Sequence, residues 1–281
     1  MENIQRAEVL ACALPYIKEY RGKIVVVKYG GNAMINEKLK QSVMRDVTLL
    51  SLIGIRVVLV HGGGPELTET MARMNMKTEF VNGLRVTDRE TAQVALMVLA
   101  GKINKNLVNL LQNAGGRAIG LSGIDGHMIK ASKLDEALGF VGEITAIDAS
   151  PVLDVLDKGY IPVISTVGCD DEGNIYNINA DTAAARIAAA VGAESLITMT
   201  DTPGILRDCR DENSLIRTVC VSEIPALNKA GIITGGMIPK VECCAEAVRR
   251  GVGKVFIIDG RIPHSIIVEL LTDEGIGTMF I

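Results

Sequence analysis

The sequence predicts an α/β fold: a mostly parallel sheet covered by helices on both faces. Three observations support this. Short apolar runs alternate along the chain with segments of helical periodicity. Those runs are continuously apolar, as in strands buried on both sides. Glycine-rich turns stand beside the predicted strands and helices.

The elements follow in order. "AEVLACALPYIKEY" places Leu10, Leu14 and Ile17 on one helical face, with Pro15 as a kink. Packing on its own domain and a contact between subunits both fit that face. Lys23–Val27 is the first strand, extended in "IVVVKYGGNAM" by Lys28 and two glycines. "EKLKQSVMRDVTLLSLIG" is helical, with Leu39, Val43, Val47, Leu50 and Ile53 on one face. "RVVLV" is the next strand and ends at His61. In "MKTEFVNGLRVT", Asn82-Gly83 between extended runs predicts a hairpin. "TDRE" has the form of a capping box, with Thr87 as N-cap and Glu90 reaching back. Its helix should run to about Ala114 and stop at Gly115-Gly116. "RAIGLSG", "GYIPVIST", "NIYNINAD", "SLITMT" and "KVFIID" are further strands. Helices are expected near Ser150–Lys158, Thr182–Val191 and Met237–Arg250. A seam between two lobes fits near Asn174–Asp181, although composition does not mark it.

Composition excludes several functions. Hydrophobic residues make up 48% of the 281, enough for a large core and too many for disorder. Net charge is −4 with Lys and Arg scattered, which argues against nucleic acid or an anionic membrane as partner. No apolar run reaches the roughly 20 residues of a membrane span. Glu2 and Glu8 in a short apolar stretch do not read as a signal peptide. The six cysteines, Cys12, Cys169, Cys209, Cys220, Cys243 and Cys244, form no C-x-x-C pair and read as reduced thiols. With three scattered histidines, no metal site is expected.

The glycine clusters are Gly30-Gly31, Gly62-Gly63-Gly64 and Gly235-Gly236. Glycine lets backbone N–H groups approach an anion, and a helix N-terminus adds partial positive charge. Each cluster also fits a plain tight turn. There is no G-x-x-x-x-G-K-[ST], and "GGGPEL" has Leu67 where a dinucleotide fingerprint needs its third glycine. G-x-S-x-G, H-E-x-x-H and H-R-D are absent.

Two lysines stand beside glycines. Lys28 ends a strand whose faces should be covered, so it needs an anionic partner. Lys240, in "TGGMIPKV", falls on the first turn of a helix, where a structural cation is disfavoured and an anionic ligand reverses the cost. Two cations and several glycine amides suit phosphoryl transfer, which depends on positioning and charge neutralisation. Asp181, in "NINAD", fits either an N-cap or a carboxylate that holds both lysines. Arg85, in "NGLRVT", fits an exposed hairpin arginine or a bidentate carboxylate partner.

In order and spacing, "VVVKYGGNAM", "VHGGGPE", "NGLRVTD", "NINADTAA", "TDTPGIL" and "GGMIPKV" resemble the acetylglutamate kinases of the amino acid kinase family, over essentially the whole chain. The Lys-x-Gly-Gly and Gly-Gly-Gly turns are shared by the wider family, whereas "NGLRVT" with "NxNAD" is more specific. The resemblance implies a three-layer αβα sandwich around a mainly parallel central sheet. It implies ATP-dependent phosphorylation of the γ-carboxylate of N-acetyl-L-glutamate, a step of arginine biosynthesis in the cytoplasm. It further implies a single kinase domain with a helical extension at 1–22, an amino-acid lobe at 23–180 and an ATP lobe at 181–281. By motif, Lys28 and Lys240 stabilise the transferring group and Asp181 orients both. Gly63, Gly64, Arg85 and Asn177 bind acetylglutamate. Gly30 and Gly31 face the phosphates, and Asp201 and Gly235 belong to the nucleotide site. Magnesium would be held chiefly by phosphate oxygens and water.

The N-terminal extension with Tyr16 resembles that of hexameric (trimer-of-dimers), arginine-inhibited members. Glu269 and Gly275 match their effector positions, and Phe256 stands in "FIIDGR" where those enzymes usually carry histidine. Rival readings are a kinase of a related acidic substrate, a non-catalytic sensor and, more remotely, a dehydrogenase. "NGLRVT" opposes the first, and retention of Lys28, Lys240 and Asp181 opposes the second.

Overall fold

The computed structural model describes residue 8 and residues 10–281. Glu2, Ala7 and Val9, used in the reading of the N-terminal segment, lie outside them. Helix α1 (Leu14–Tyr20) leads into β1 (Ile24–Tyr29). Helix α2 (Glu37–Leu52) is capped by Asn36, whose side chain accepts from the Lys38 and Leu39 N–H groups. Strand β2 (Arg56–His61) and helix α3 (Gly64–Arg73) follow. The hairpin β3 (Phe80–Val81) and β4 (Leu84–Arg85) turns through Asn82 and Gly83, both at positive φ (51° and 80°), as expected from that pair.

Helix α4 (Arg89–Leu96) continues through a π-helical stretch, Met97–Ile103, into α5 (Asn104–Asn113). Then come β5 (Ala118–Ser122), β6 (Ile129–Lys133), β7 (Gly142–Ile147), α6 (Ser150–Asp157), β8 (Ile161–Ser165), β9 (Val167–Cys169) and β10 (Ile175–Asn177). The last part holds α7 (Ala180–Ala190), β11 (Ser195–Thr200), β12 (Thr218–Val219), α8 (Ile224–Lys229), α9 (Met237–Arg249), β13 (Lys254–Asp259), α10 (Ser265–Leu271) and β14 (Thr278–Phe280).

Eight strands form the central sheet in the order β12-β14-β13-β11-β1-β2-β8-β5. The six from β13 to β5 run parallel, and β14 pairs antiparallel to β13. Alternate residues of one strand feed two separate cores. Val26 and Val58 pack with α6, α7 and α9; Val25, Val27 and Val57 pack with α2, α3, α5 and α10. The architecture is therefore a three-layer α/β sandwich. Burying each such side chain contributes roughly 1.5–3 kcal/mol, so both faces must be apolar, which is why β1 reads as an unbroken run.

Several expectations need correction. The N-cap of α4 is Asp88, which accepts from the Thr91 N–H at 2.7 Å, rather than Thr87. Thr87 is fully buried and extended, exchanging backbone hydrogen bonds with Leu138 and Phe140, so the chain enters the helix one residue later. Residues 10–12 are also helical, and the break at Ala13 stands just before Pro15 in the first turn of α1, which agrees with a kink at that proline. Leu10 and Leu14 are exposed (74% and 63%), whereas Ile17 of the same face packs against the domain's own core, so the face is only partly covered. A second sheet, β10-β9-β6-β7, includes three strands, β6, β7 and β9, that periodicity did not mark. Helix 89–113 is long and apolar enough to cross a membrane by length and composition, although Lys102, Asn104 and Lys105 interrupt it, so it is no continuous apolar run. Its last part packs on α2, β5 and β8. All six cysteines are free.

Helices α2 and α10 are joined by a buried carboxyl. Asp46 Oδ1 lies 2.6 Å from His264 Nδ1, while Oδ2 is buried without a hydrogen-bond partner. Burial pushes the Asp46 carboxyl up to about 6, with His264 pulling the other way. A carboxyl raised in the folded state stabilises most below its unfolded value and loses that contribution as pH rises through 6. Relative to Asp46→Asn, the wild-type protein should thus lose up to about 3 kcal/mol between pH 4 and pH 7. Urea melts of both proteins at the two pH values measure this; an unchanged difference contradicts it.

Candidate active site

The carboxyl ends of β1, β2, β11 and β13 lie side by side, and the candidate site is built there. Lys28, the fifth residue of β1, is 7% exposed. Its Nζ lies 2.7 Å from Asp181 Oδ1. Lys240, on the first turn of α9, donates from Nζ to Asp181 Oδ2 at 2.9 Å. Two lysines 212 positions apart in the chain thus share one carboxylate. Asp181 is not the N-cap of α7. That role belongs to Asn179, whose side chain accepts from the Asp181 and Thr182 N–H groups. Asp181 is left free to point at the lysines.

Burial alone would raise the Asp181 carboxyl. Lys28, then Lys240, more than offset this and hold it below the usual carboxylate range. The Lys28 contact is an ion pair without hydrogen-bond alignment at Oδ1, whereas the Lys240 contact is a directed hydrogen bond.

Two cavities flank this triad. The larger, of about 650 Å³, is lined by Lys28, Gly31, Asp201, Gly236, Lys240 and Arg261, among others. Gly30 and Gly31 form the turn after β1. A Cβ on Gly30 would stand 3.2 Å from Lys28 Nζ, and Gly31 has φ +67° with the Asp201 carboxylate 3.0 Å from its Cβ position. Gly235, at φ +53°, sets the turn, and it is Gly236, the N-cap of α9, that faces the cavity.

The smaller cavity, of about 190 Å³, is lined by Gly63, Gly64, Arg85 and Asn177 together with apolar Leu67, Phe80, Leu99 and Ile178. Ala180, next to Asp181, lines it too. Gly63 is glycine for packing as well as access: its Cβ would collide with Ile103 Cδ1 at 2.2 Å. Arg85 is no exposed hairpin arginine. It is 6% exposed and stacks under Phe80 at 4.7 Å. Nη2 donates to Thr68 Oγ1 at 2.6 Å and to Gly64 O at 3.1 Å. Among the described residues it pairs with no carboxylate, and burial lowers its pKa. A buried cation among neutral acceptors is prepared for an incoming anion.

Tyr16, Glu269 and Gly275 line a third cavity, of about 430 Å³, together with Phe256 and Lys254. Glu269 Oε2 already accepts from the Ile276 and Gly277 N–H groups, at 2.7 and 2.9 Å, so it shapes the loop of that cavity.

Sequence reasoning missed Thr200, Thr202, Glu212 and Arg261 in the larger cavity. Arg261 is clamped by Asp259, Nε to Oδ1 at 2.9 Å and Nη2 to Oδ2 at 2.7 Å. "FIIDGR" carried the signal, because its aspartate ends a strand beside β11, but only the sheet order makes them neighbours.

The sequence pattern of the amino acid kinase family matches residues 23–259. The chain is 56% identical to the acetylglutamate kinase of Brachyspira hyodysenteriae, over 100% of this chain and 99% of that one. It is 53% identical to that of Clostridium beijerinckii, over 99% of each. This chain belongs to the amino acid kinase family, among its acetylglutamate kinases. As an amino acid kinase it also has solved structural relatives. N-acetylglutamate synthase from Neisseria gonorrhoeae, complexed with coenzyme A and N-acetyl-glutamate, superposes with TM-score 0.84 at 26% identity. The match covers 98% of this chain and 63% of the synthase. Giardia carbamate kinase, at TM-score 0.68 and 17% identity over 92% of this chain and 99% of that one, shares the kinase fold.

Removing Asp181 leaves Lys28 buried without its counter-ion. Asp181→Ala should cost roughly 3–5 kcal/mol of stability, and adding Lys28→Met should restore part of it. An unchanged urea midpoint for Asp181→Ala contradicts the pairing.

Proposed function

We propose that this kinase transfers the γ-phosphoryl group of ATP to the side-chain carboxylate of N-acetyl-L-glutamate, giving N-acetyl-L-glutamyl 5-phosphate for arginine biosynthesis. The observation that carries this reading is the Lys28–Asp181–Lys240 triad between a nucleotide-sized cavity and a small, partly apolar one. In the reaction a carboxylate oxygen attacks the γ-phosphorus. The bond to the β–γ bridging oxygen breaks, and ADP leaves. A carboxylate with an ordinary pKa near 4 is already ionised, so no general base is needed. Repulsion between carboxylate and polyphosphate is the obstacle, and fixed cations remove it.

In this reading Lys28 and Lys240 neutralise the travelling group from two sides, and Asp181 keeps them in place. The Gly30, Gly31, Gly63 and Gly64 turns offer backbone N–H groups. Arg85 takes the α-carboxylate and Asn177 the acetylamino group. Asp201 and Gly235 belong to the nucleotide subsite. Residues 23–180 supply most of the amino-acid site and residues 181–281 most of the ATP site. Magnesium fits as an ion that arrives with the phosphates: Asp201 and Glu212 line the cavity, and two carboxylates suit an ion that keeps phosphate and water ligands. It supplies charge neutralisation on the nucleotide.

The protein is further read as a cytoplasmic homo-oligomer, a trimer of dimers, in which the exposed Leu10 and Leu14 of the N-terminal segment meet another subunit. L-arginine is the proposed effector at the Tyr16–Glu269–Gly275 cavity.

Coupled ADP release with acetylglutamate, glutamate and aspartate in parallel tests the reaction. Acetylglutamate alone should give efficient turnover, and Lys28→Ala should lower that kcat by about 10²-fold or more. Equal turnover of glutamate, or normal kcat in the variant, contradicts the assignment. Millimolar L-arginine should lower the wild-type rate, and an unaffected rate rejects the effector site.

A further inference from the structure

The machinery above leaves the buried imidazole of His61 without a role. His61 ends β2 with no solvent exposure, immediately before the glycine turn. Its Nδ1 lies 2.8 Å from Gly62 O. A carbonyl oxygen only accepts, so Nδ1 carries the proton and Nε2 must accept. Asn104 Nδ2 donates to Nε2 at 3.2 Å. Burial holds the imidazole down to about 4, so it stays neutral in this one tautomer at neutral pH.

Asn104 is itself fixed on several sides. Its Nδ2 also faces Val163 O at 2.8 Å and Leu121 O at 3.2 Å, while Oδ1 accepts from Lys105 Nζ at 3.2 Å. Gly120 gives it room, since a Cβ there would stand 1.9 Å from Asn104 Oδ1. Asn104 follows directly on the π-helical stretch, which changes the register of the helix just before it.

This network holds Gly62. The Gly62 N–H donates to Tyr29 O at 3.2 Å, between Lys28 and Gly30 in the chain. A Cβ on Gly62 would stand 3.2 Å from that of Ala180, the neighbour of Asp181. Gly62 is thus bonded to the end of the strand that carries Lys28 and packs close to the side chain of Ala180, the neighbour of Asp181, and it leads into Gly63 and Gly64. Turning the Gly62–Gly63 peptide, whose carbonyl His61 holds, would disturb this packing and the Gly63-Gly64 turn together.

We propose that His61 and Asn104 are positioning residues for phosphoryl transfer: His61 pins the Gly62 carbonyl through Nδ1–H, and Asn104 pins His61. The proposal rests on the reaction assigned above. Neither side chain lines either of the two cavities that flank the triad, so neither touches substrate.

Two replacements separate the two ring nitrogens. In His61→Asn the side-chain amide can occupy the place of Nδ1–H and keep the Gly62 tether. In His61→Gln it can reach the place of Nε2 and keep only the Asn104 contact. kcat, KM for ATP and acetylglutamate, and melting temperature are measured for wild type and both variants. His61→Gln should lower kcat by about 10²-fold, because a displacement of about 1 Å costs that much. His61→Asn should lose less than about tenfold, with both KM values held within about threefold. Equal kcat losses in the two variants, or losses that follow melting temperature alone, overturn the proposal. Should His61→Gln not fold, Asn104→Ser decides: kcat should fall about tenfold with unchanged KM, and an unchanged kcat overturns it. A wild-type protein with no acetylglutamate-dependent ADP release would sink both readings, whereas an active wild type with the wrong variant ranking sinks this one alone.

Discussion

One carboxylate shared by two ammonium groups is the contact on which the site depends. Without Asp181, Lys28 and Lys240 would repel each other, and Lys28 would be buried alone in a sheet core. Such a buried triad is poor evidence for stability, because desolvating three charges cancels most of their attraction. What it provides is fixed geometry. Two cations wait where negative charge will gather, and the protein does not reorganise when it arrives.

The fold puts this contact at a predictable place. Strand β1 is the switch point of the sheet: β2, β8 and β5 extend on one side, β11 and β13 on the other. Open α/β sheets bind ligands beyond the carboxyl ends of their strands at such a point. Three helix N-termini reach the same region, at Gly64, Ala180 and Met237, and each brings partial positive charge. Asp181 is favoured by its position in the first turn of α7. Lys240 in the first turn of α9 is not, and it is tolerated because one carboxylate already faces it and phosphate oxygens are expected beside it.

Much of this was legible in the residues. A lysine closing an apolar run needed a partner, and Asp181 is that partner. Asn82-Gly83 demanded the hairpin that presents Arg85. What remained unread shares a cause: it depends on which strands become neighbours. Arg261, held by Asp259, reaches the larger cavity only because β13 lies beside β11. The His61–Asn104 contact joins residues 43 apart through a π-helical stretch that no periodicity announces. Strands β6 and β7 of the second sheet were missed because polar residues such as Lys130, Ser132, Glu143 and Thr145 stand between their buried ones, so no continuous apolar run marks them. Thr87 has a perfectly good capping sequence, yet a bridge to Gly139 claims its backbone first.

The central claim is that Lys28 and Lys240 converge on the group in flight. The most direct test is a crystal structure with ADP, acetylglutamate and a planar metal-fluoride mimic of the transferring phosphoryl group. The account predicts both Nζ atoms within hydrogen-bond distance of the planar group, about 2.7–3.2 Å, on different sides of it. Either ammonium turned toward solvent, with water or backbone alone around the fluorines, would contradict it.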